Sequence, residues 1–347
     1  MKKSFKCISL MLSSLLILGC GSTAFSAATV EDNESVKAIY EKIEEGRTVL
    51  YDENNNEIPV EKLNNDTENI SKKLPQKYDL RDYGRVSKVK NQGSDGYCWA
   101  FASVASMESS ILSQNDLKSK LGENPQDTID LSEAGQTWYI HSGIVDKSSP
   151  FYGDYINDSS KGSNGGTSDT LAISLNSGFG TYPQSLCPYN EVKKGFSETL
   201  RYYSDYRLKD YSEISNNKDT LKSKIVSNGA VTVYYPSITD CYSYDYANYY
   251  SDNTCIGIGD AHLIVVVGWD DNYSKDNFTG KVKPSNDGAW LCKNSWGEHY
   301  GNDGYIWISY DTTNLAFSQY IMQDNNAYDN EYQNCFVTQG YGYNYEG

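Results

Sequence analysis

The sequence predicts an α+β protein, with helices in the first part of the chain and strands in the second. Apolar residues recur at helical spacing after Cys98 and after Gly166, and short β-branched and aromatic runs follow from residue 230 onward. Helices and strands segregated in this way are typical of a protein whose lobes differ in structural class. A chain of 347 residues can bury two such lobes and still carry processed segments.

Three helices and four strands are predicted in chain order. The second helix follows Gly165 and Gly166, and the third spans residues 218–227 before an Asn-Gly pair that suits a C-terminal cap. The strands are predicted over residues 230–235, 263–269, 289–294 and 304–310. The first helix starts at Cys98, and its predicted apolar face consists of Phe101, Val104, Ala105, Ile111 and Leu112.

The N-terminus has the pattern of a secretory signal. A Lys-rich start, an apolar run over residues 8–18 and small residues around Ala24 predict a signal peptide over residues 1–26. That run is too short to span a bilayer comfortably, and no other stretch is long enough, so we expect no membrane span. The Ile-Leu-Gly-Cys run ending at Cys20 also resembles a bacterial lipobox, so lipid anchoring through Cys20 stays open as an alternative. Both interpretations place the protein outside the cytoplasm, secreted or at the cell surface.

Residues 27–74 form a polar segment rich in Glu, Asp, Asn and Lys. A short amphipathic helix over residues 35–45 is predicted there from Val36, Ile39, Tyr40 and Ile43. The segment is either a disordered linker or a stretch that covers a functional site until it is cleaved. We favour the second interpretation because the chemistry-bearing motifs begin directly after it.

The formal net charge of −16 excludes whole classes of partner. Nucleic-acid binding needs a basic surface to neutralise phosphates, and adhesion to anionic lipid needs the same sign of charge. We therefore expect neither partner, and the charge suits solubility outside the cell.

The run QGSDGYCWAF, from Gln92 to Phe101, places a cysteine at the first turn of the first predicted helix. The positive end of a helix dipole stabilises a thiolate and lowers the pKa of the thiol. The backbone N–H of Cys98 and the side chain of Gln92 could both donate to a developing oxyanion. The alternative interpretation is that Cys98 is a buried core thiol. Gly93 and Gly96 argue against that interpretation, because they suggest close approach of the backbone to another group.

Two further residues complete a candidate catalytic set. His262 opens the apolar run 263–267, whereas His141 and His299 lie in polar contexts, so His262 is the best candidate to pair with Cys98. A satisfied core histidine is the alternative. Asn294, in the run WLCKNSWG, could either cap a turn or accept a hydrogen bond from the imidazole and hold its tautomer. Trp296 could then shield that bond from water.

Taken together and in this order, these motifs resemble the papain family of cysteine peptidases over residues 74–310. The resemblance implies Cys98 as nucleophile, His262 as base, Asn294 as orienting amide and Gln92 as oxyanion donor. It also implies a thiolate–imidazolium pair and a papain-like two-lobe fold, with a helical lobe, a β-barrel-like lobe and the active site in the cleft between them. The SNGG run over residues 163–166 is similar to the glycine strip that pairs with the backbone of an extended substrate.

The chain departs from the family pattern at three positions. Asp95 and Ser163 stand where relatives carry a disulfide-bonded cysteine pair, and Ala261 stands where Asp or Asn often precedes the histidine. None of these changes removes a catalytic group, although the last could shift the pH optimum.

We therefore expect a signal peptide over residues 1–26, a propeptide over 27–74, a papain-like peptidase domain over 75–325 and a tail over 326–347 that could begin a further module. The expected function is that of a secreted cysteine endopeptidase, a monomer made as a proenzyme, with protein or peptide substrates. No metal and no organic cofactor is expected. The alternatives are a catalytically silent binding module of the same fold and a Cys/His amidase acting on cell-wall peptides.

Two finer expectations concern the substrate and the disulfides. Gly165, Gly166 and Trp296 are expected to contact substrate; Thr167, Ser168 and Asp260 would line the main specificity pocket, with no strong preference for a bulky aromatic side chain. Cys241 and Cys255 flank a tyrosine-rich connection over residues 236–259, where they form either a disulfide or two free thiols.

Overall fold

The computed structural model describes residues 40–44, 47–51, 57–58, 74–144, 147–148, 152, 165–255 and 259–325. The chain divides into two compact units, Met1–Lys73 and Leu74–Gly347. The predicted signal peptide, the predicted tail and Ser163 lie outside the described residues. In the part of the chain that is described, no helix has the length and apolar character needed to cross a membrane.

The first unit contains a small antiparallel sheet. Its strands are β1 (Tyr40–Glu44), β2 (Arg47–Tyr51) and β3 (Glu57–Ile58), in that spatial order. The helix predicted over residues 35–45 is therefore wrong where the structure describes it. Every residue of β1 pairs with one of β2, from Tyr40 opposite Tyr51 to Glu44 opposite Arg47. The β-branched and aromatic residues of β2 favour this pairing over the weak helical spacing of β1.

The second unit contains six α-helices among its described residues. The three predicted helices are confirmed, with their N-terminal ends at Cys98, close after Gly166 and at Lys218. The bounds are α1 (Cys98–Ser113), α2 (Asn115–Lys118), α3 (Pro125–Thr128), α4 (Glu133–His141), α5 (Ser168–Asn176) and α6 (Lys218–Asn228).

The second unit also contains a nine-stranded sheet, and most of its strands come after the helices in the chain. Its spatial order is β5-β12-β6-β9-β10-β11-β8-β7, and β4 pairs with the end of β9. All pairs are antiparallel except β11 with β8. The strands are β4 (Lys77–Asp79), β5 (Tyr206–Ile214), β6 (Val231–Ile238), β7 (Tyr242–Ser243), β8 (Asn248–Tyr249), β9 (Gly259–Asp270), β10 (Ala289–Lys293), β11 (Tyr305–Ser309) and β12 (Ala316–Asp324).

Helix α1 lies between two hydrophobic cores, one for each lobe. Trp99, Met107 and Ile111 pack into the core of the helical lobe, whereas Ala102 packs into the core of the sheet, with Trp269. This arrangement agrees with the α+β, two-lobe prediction. The burial of α1 differs from the sequence prediction, because the helix is buried on nearly all sides rather than along one face.

Serine side chains make this complete burial of α1 possible. Ser106 donates a 2.8 Å hydrogen bond to the carbonyl of Ala230, and Ser109 donates one of the same length to the carbonyl of Arg85. Buried hydroxyls that are hydrogen-bonded in this way avoid most of the cost of leaving water. The helix is thereby fixed to both lobes, and the position of its first residue is fixed with it.

Candidate active site

Cys98 is the first residue of α1, as predicted, and Tyr97 occupies the cap position before it. The side chain is largely buried, and Cys98 is one of the cysteines that form no disulfide among the residues described. Its place at the helix N-terminus puts the positive end of the helix dipole beside the sulfur, which favours the thiolate.

His262 lies on β9, directly opposite Tyr235 of β6. Its Nε2 is 2.9 Å from Oδ1 of Asn294, the residue that follows β10. Because an amide oxygen only accepts hydrogen bonds, Nε2 must carry the proton, and Nδ1 is the ring nitrogen left to exchange a proton with a thiol. The same Oδ1 accepts a 2.8 Å hydrogen bond from the backbone N–H of Ser295, which fixes the orientation of the amide.

Burial lowers the pKa of His262 to about 4, and the hydrogen bond to Asn294 acts in the opposite direction. At neutral pH the ring is therefore neutral unless a negative charge is brought beside it. A neutral imidazole is the form that can take the proton of a thiol, and a thiolate next to it would stabilise the imidazolium that results.

Trp296 covers the imidazole. Its ring stacks on His262 with centroids 4.5 Å apart and an interplanar angle of 20°, and its backbone forms an isolated bridge with Asn91. An aromatic ring in this position keeps water from the His262–Asn294 bond, and a drier environment strengthens that bond.

Gln92 is held by contacts from several segments. Ser295 donates a 2.6 Å hydrogen bond to its Oε1, its own Nε2 donates a 2.9 Å bond to the carbonyl of Asp95, and the Tyr189 hydroxyl donates a 2.6 Å bond to its carbonyl. Since Nε2 carries two protons, one remains available for an oxyanion. Sequence reasoning identified Gln92 but missed Ser295, although Ser295 stands next to Asn294 in the motif.

The segment that begins at Gly165 runs past the residue after the nucleophile. A Cβ on Gly166 would lie 2.5 Å from Cε2 of Trp99, so only glycine allows this approach, and Gly165 has a φ of +111°. Thr167 caps α5 by accepting a hydrogen bond from the N–H of Thr170, and its side chain is exposed. The backbone of Asp260 lies in β9, two residues before His262.

A buried ionic cluster lies beneath these residues and was missed from the sequence. Nζ of Lys90 is 2.9 Å from carboxylate oxygens of Glu108, Glu133 and Asp130. Lys293, the residue before Asn294, reaches the same cluster through Ser87, which contacts both its Nζ and Glu108. Charged residues inside otherwise apolar runs, such as Glu108 in α1, were the sequence signal.

Burial and charge oppose each other in this cluster. Burial acts to lower the pKa of Lys90, but its carboxylate neighbours outweigh that effect and raise it. Burial raises the pKa of Glu133 to about 7, partly offset by Lys90, and lowers the pKa of Lys293 to about 8, partly offset by Glu108. A cavity of about 10 Å³, room for about one water molecule, lies between this cluster, α1 and the start of β9.

The described residues contain no group of three or more His, Cys, Asp or Glu side chains arranged to hold a metal ion. What they contain is a thiol at a helix N-terminus and an imidazole whose tautomer is fixed by a side-chain amide. Side chains of these kinds are the ones that a thiol-dependent hydrolase uses.

Comparison with known proteins gives the family. The model of the family described as papain family cysteine protease matches residues 74–328. The chain belongs to the papain family of cysteine proteases, so it is a papain-type peptidase by family and fold.

Individual relatives agree with this assignment at modest identity. Procathepsin L of Rattus norvegicus is 26% identical over 244 residues, which cover 70% of this chain and 62% of that protein. Cathepsin J of Mus musculus is 26% identical over 245 residues, covering 71% and 63%. The chain thus spans somewhat less than two thirds of the length of these relatives.

Two solved structures are similar to this chain. The clostridial cysteine protease Cwp84 after propeptide cleavage has 27% identity and a TM-score of 0.56, covering 72% of this chain and 58% of that one. The cysteine protease and lectin-like domains of Cwp84, a surface layer associated protein of Clostridium difficile, have 28% identity and a TM-score of 0.58, with 72% and 52% covered.

Proposed function

We propose that this protein is a secreted cysteine endopeptidase that hydrolyses peptide bonds of proteins through Cys98, His262 and Asn294 and is made as a proenzyme. The observation that carries the proposal is the 2.9 Å contact between His262 Nε2 and Asn294 Oδ1 beneath the ring of Trp296. A catalytic role accounts for an amide that holds the imidazole in one tautomer, with Nδ1 as the ring nitrogen left to exchange a proton.

In the first half of the proposed reaction, His262 takes the proton of Cys98 and the thiolate attacks the substrate carbonyl. The oxyanion that forms accepts hydrogen bonds from the N–H of Cys98 and from Nε2 of Gln92. His262 then gives its proton to the leaving amine as the C–N bond breaks, and a thioester on Cys98 remains. In the second half, His262 takes a proton from water, which attacks the thioester, and Cys98 leaves as the thiolate.

The acyl half of the substrate is proposed to lie along Gly165 and Gly166. The absence of a side chain at Gly166 lets the chain run against Trp99, next to the nucleophile, and extended backbone can pair with extended backbone there. Thr167, Ser168 and Asp260 are proposed to line the pocket for the residue two positions before the scissile bond. Because these side chains are small or polar, aromatic residues are not expected to dominate that position.

Residues 27–74 are proposed to be the propeptide and residues 75–325 the catalytic domain. The division of the chain into compact units between Lys73 and Leu74, and a family match that starts at residue 74, support this boundary. The similarity to a protease that undergoes propeptide cleavage points the same way.

Export to the outside of the cell is proposed from the signal pattern over residues 1–26, with lipid anchoring through Cys20 as a variant of it. The similarity to Cwp84, a surface layer associated protein, supports a location at or beyond the cell surface. We propose that the protein acts there as a monomer.

The test is hydrolysis of casein by the chain lacking residues 1–26, under reducing conditions, beside Cys98→Ala. A gel of the same samples follows loss of the segment before Leu74. Activity and trimming are expected in the wild type and are expected to be absent in Cys98→Ala. Cys187→Ala is the matched control, because Cys187 is another buried cysteine that forms no disulfide among the described residues but lies outside the site.

Equal behaviour of wild type and Cys98→Ala, once the propeptide has been removed, would contradict the proposal and favour a binding module. Release of amines from cell-wall peptides without any cleavage of casein would instead favour an amidase.

A further inference from the structure

The direction in which the leaving half of a substrate departs follows from the chemistry of His262. A general acid must lie within hydrogen-bonding reach of the nitrogen that it protonates, so the polypeptide beyond the scissile bond has to pass beside the imidazole. Trp296 is stacked on that imidazole, with centroids 4.5 Å apart. The surface that continues outward from Trp296 is therefore the surface that this half of the substrate meets.

Two contacting pairs of aromatic rings lie in this region. Trp296 contacts Tyr300 edge to face, with centroids 4.5 Å apart, and Tyr242 stacks on Tyr244 at 6.1 Å and 26°. Tyr242 also contacts Tyr235, whose ring contacts that of His262. Burial raises the pKa of Tyr300, and the phenols of Tyr244 and Tyr242 lie close enough to act on it. The two pairs therefore lie near each other and are here called the aromatic ridge: Trp296, Tyr300, Tyr242 and Tyr244.

The inner part of the aromatic ridge is rigid. The hydroxyl of Tyr242 is hydrogen-bonded to that of Tyr235 and lies 3.0 Å from Oγ of Ser237. Tyr235 is fully buried and contacts His262 edge to face at 5.7 Å. The ridge is thus braced against the strand that carries the catalytic base, and a ligand would not have to order it.

The outer end of the aromatic ridge is open. Tyr244 is 69% exposed, the largest exposed fraction among the exposed large hydrophobic residues of the described chain. Tyr244 belongs to the tyrosine-rich connection between β6 and β9, so this end of the ridge comes from a segment outside the catalytic motifs. An exposed aromatic side chain on a rigid base, continuous with a catalytic site, is a typical binding surface.

We propose that the aromatic ridge binds the substrate beyond the scissile bond and selects an aromatic or large apolar side chain at the second residue after it. An extended peptide advances about 3.3 Å per residue, so the second residue lies one to two ring spacings beyond His262. Trp296 would contact the first residue after the bond, and Tyr300 and Tyr244 would contact the side chain of the second. The inference rests on the proposed function and adds a specificity to it.

The test measures the partition of the acyl-enzyme between hydrolysis by water and aminolysis by an added amine. A p-nitrophenyl ester of a blocked amino acid acylates Cys98 and releases p-nitrophenol. The amine then attacks the thioester carbonyl, a C–N bond forms, Cys98 leaves as thiolate, and the surplus proton of the amine passes to His262. The two amines are glycyl-phenylalaninamide and glycyl-glycinamide, which differ only at the second residue. Chromatography gives the ratio of peptide to acid within each reaction.

The wild type is expected to give a ratio about fivefold to tenfold higher with the phenylalanine amine than with the glycine amine, as one aromatic contact allows. Tyr244→Ala is expected to lose most of that preference. Because the ratio is taken within one reaction, poor folding of a variant lowers the total turnover but not the ratio. Tyr246→Ala is the matched control, since Tyr246 is 50% exposed in the same connection and is not one of the four residues of the aromatic ridge.

Equal ratios for the two amines in the wild type, or a preference that Tyr244→Ala leaves intact, would overturn the aromatic ridge while leaving the peptidase proposal in place. Failure of the wild type to release p-nitrophenol would overturn both, because no acyl-enzyme would then exist.

Discussion

The hydroxyl of Ser295 donates a 2.6 Å hydrogen bond to Oε1 of Gln92, and the backbone N–H of Gln92 donates a 2.8 Å bond to the carbonyl of Ser295. These two contacts join the loop before the nucleophile to the segment after Asn294. They turn the amide of Gln92 so that its nitrogen, rather than its oxygen, faces away from Ser295. The orientation of the proposed oxyanion donor is therefore set by Ser295, which is not among the residues proposed to act on the substrate.

We predict that Ser295→Ala lowers kcat about fivefold to tenfold and changes KM little. Loss of one hydrogen bond, worth about 1 kcal/mol, lets the Gln92 amide rotate, and the oxyanion loses its donor mainly in the transition state. Ser295→Thr keeps the hydroxyl and is expected to restore most of the rate. Steady-state kinetics on a peptide amide measures both effects, and a fall confined to KM would count against this role of Ser295.

The second prediction concerns the pKa of His262 without its thiol partner. In Cys98→Ala, only burial and the hydrogen bond to Asn294 act on the ring, so its pKa is expected near 4 by NMR titration. Asn294→Ala in the same background is expected to lower it further, because the hydrogen bond to Asn294 acts to raise it. A pKa near 6.5 in Cys98→Ala would contradict the burial of the ring.

A pH dependence of stability follows from the same pKa. As the pH falls from 6.5 toward 4, the unfolded chain takes up the proton first, so the free energy of unfolding decreases across this interval. The full loss is about 3 kcal/mol and is complete below the folded pKa. Denaturant unfolding of Cys98→Ala, compared with Cys98→Ala/His262→Gln, isolates this contribution from that of the carboxylates.

The third prediction concerns the buried ionic cluster. Glu108 accepts hydrogen bonds from Lys90, from Ser87 and from the N–H of Leu131. Glu108→Ala leaves these buried donors without their acceptor and is expected to lower the free energy of unfolding by about 3 to 5 kcal/mol.

The matched control is Lys194→Ala, which breaks the exposed pair with Glu191. Its expected cost is below about 1 kcal/mol, because water screens an exposed pair. Chemical denaturation compares the two variants, and similar costs for both would show that the buried cluster adds nothing to stability.

The fourth prediction concerns Cys241 and Cys255, which are free thiols with sulfur atoms 3.0 Å apart. We expect oxidised glutathione to convert them to a disulfide with loss of two hydrogens and to raise the free energy of unfolding by about 3 kcal/mol. Peptide mapping by mass spectrometry without reduction identifies the bond. The double variant Cys241→Ala/Cys255→Ala should show no gain on oxidation, and pairing of Cys255 with any other cysteine would contradict the prediction.

The sequence predicts best those parts of this protein whose chemistry dictates residue type and spacing. Cys98 at a helix start, His262 on a strand and Asn294 after the next strand were all expected where the structure has them. The chain after Tyr310 has strand-like character, but the bounds of β12 were not predicted, and Gln319 lies in the middle of this strand. Its Nε2 donates a 2.9 Å hydrogen bond to the carbonyl of Gly229, a partner 90 residues away that no local pattern shows.

The complete burial of α1 could not be predicted from the sequence either, because it also depends on hydrogen-bond partners that are distant in the chain. Ser106, Glu108 and Ser109 lie outside the predicted apolar face, yet each is buried and hydrogen-bonded to a distant segment. Hydrophobic periodicity identifies only the face of a helix that carries apolar side chains. A buried polar face can be recognised only when the acceptors opposite it are known.

A helix shared by two cores has a consequence for a protease that must coexist with its own copies. Cys98 begins that helix, while His262 belongs to the sheet on the other side of it, so their meeting depends on both cores being intact. Under the proposed mechanism, a molecule unfolded enough to be cleaved by another copy has also separated Cys98 from His262. Unfolded copies are therefore expected to be substrates of intact copies and to be unable to cleave them.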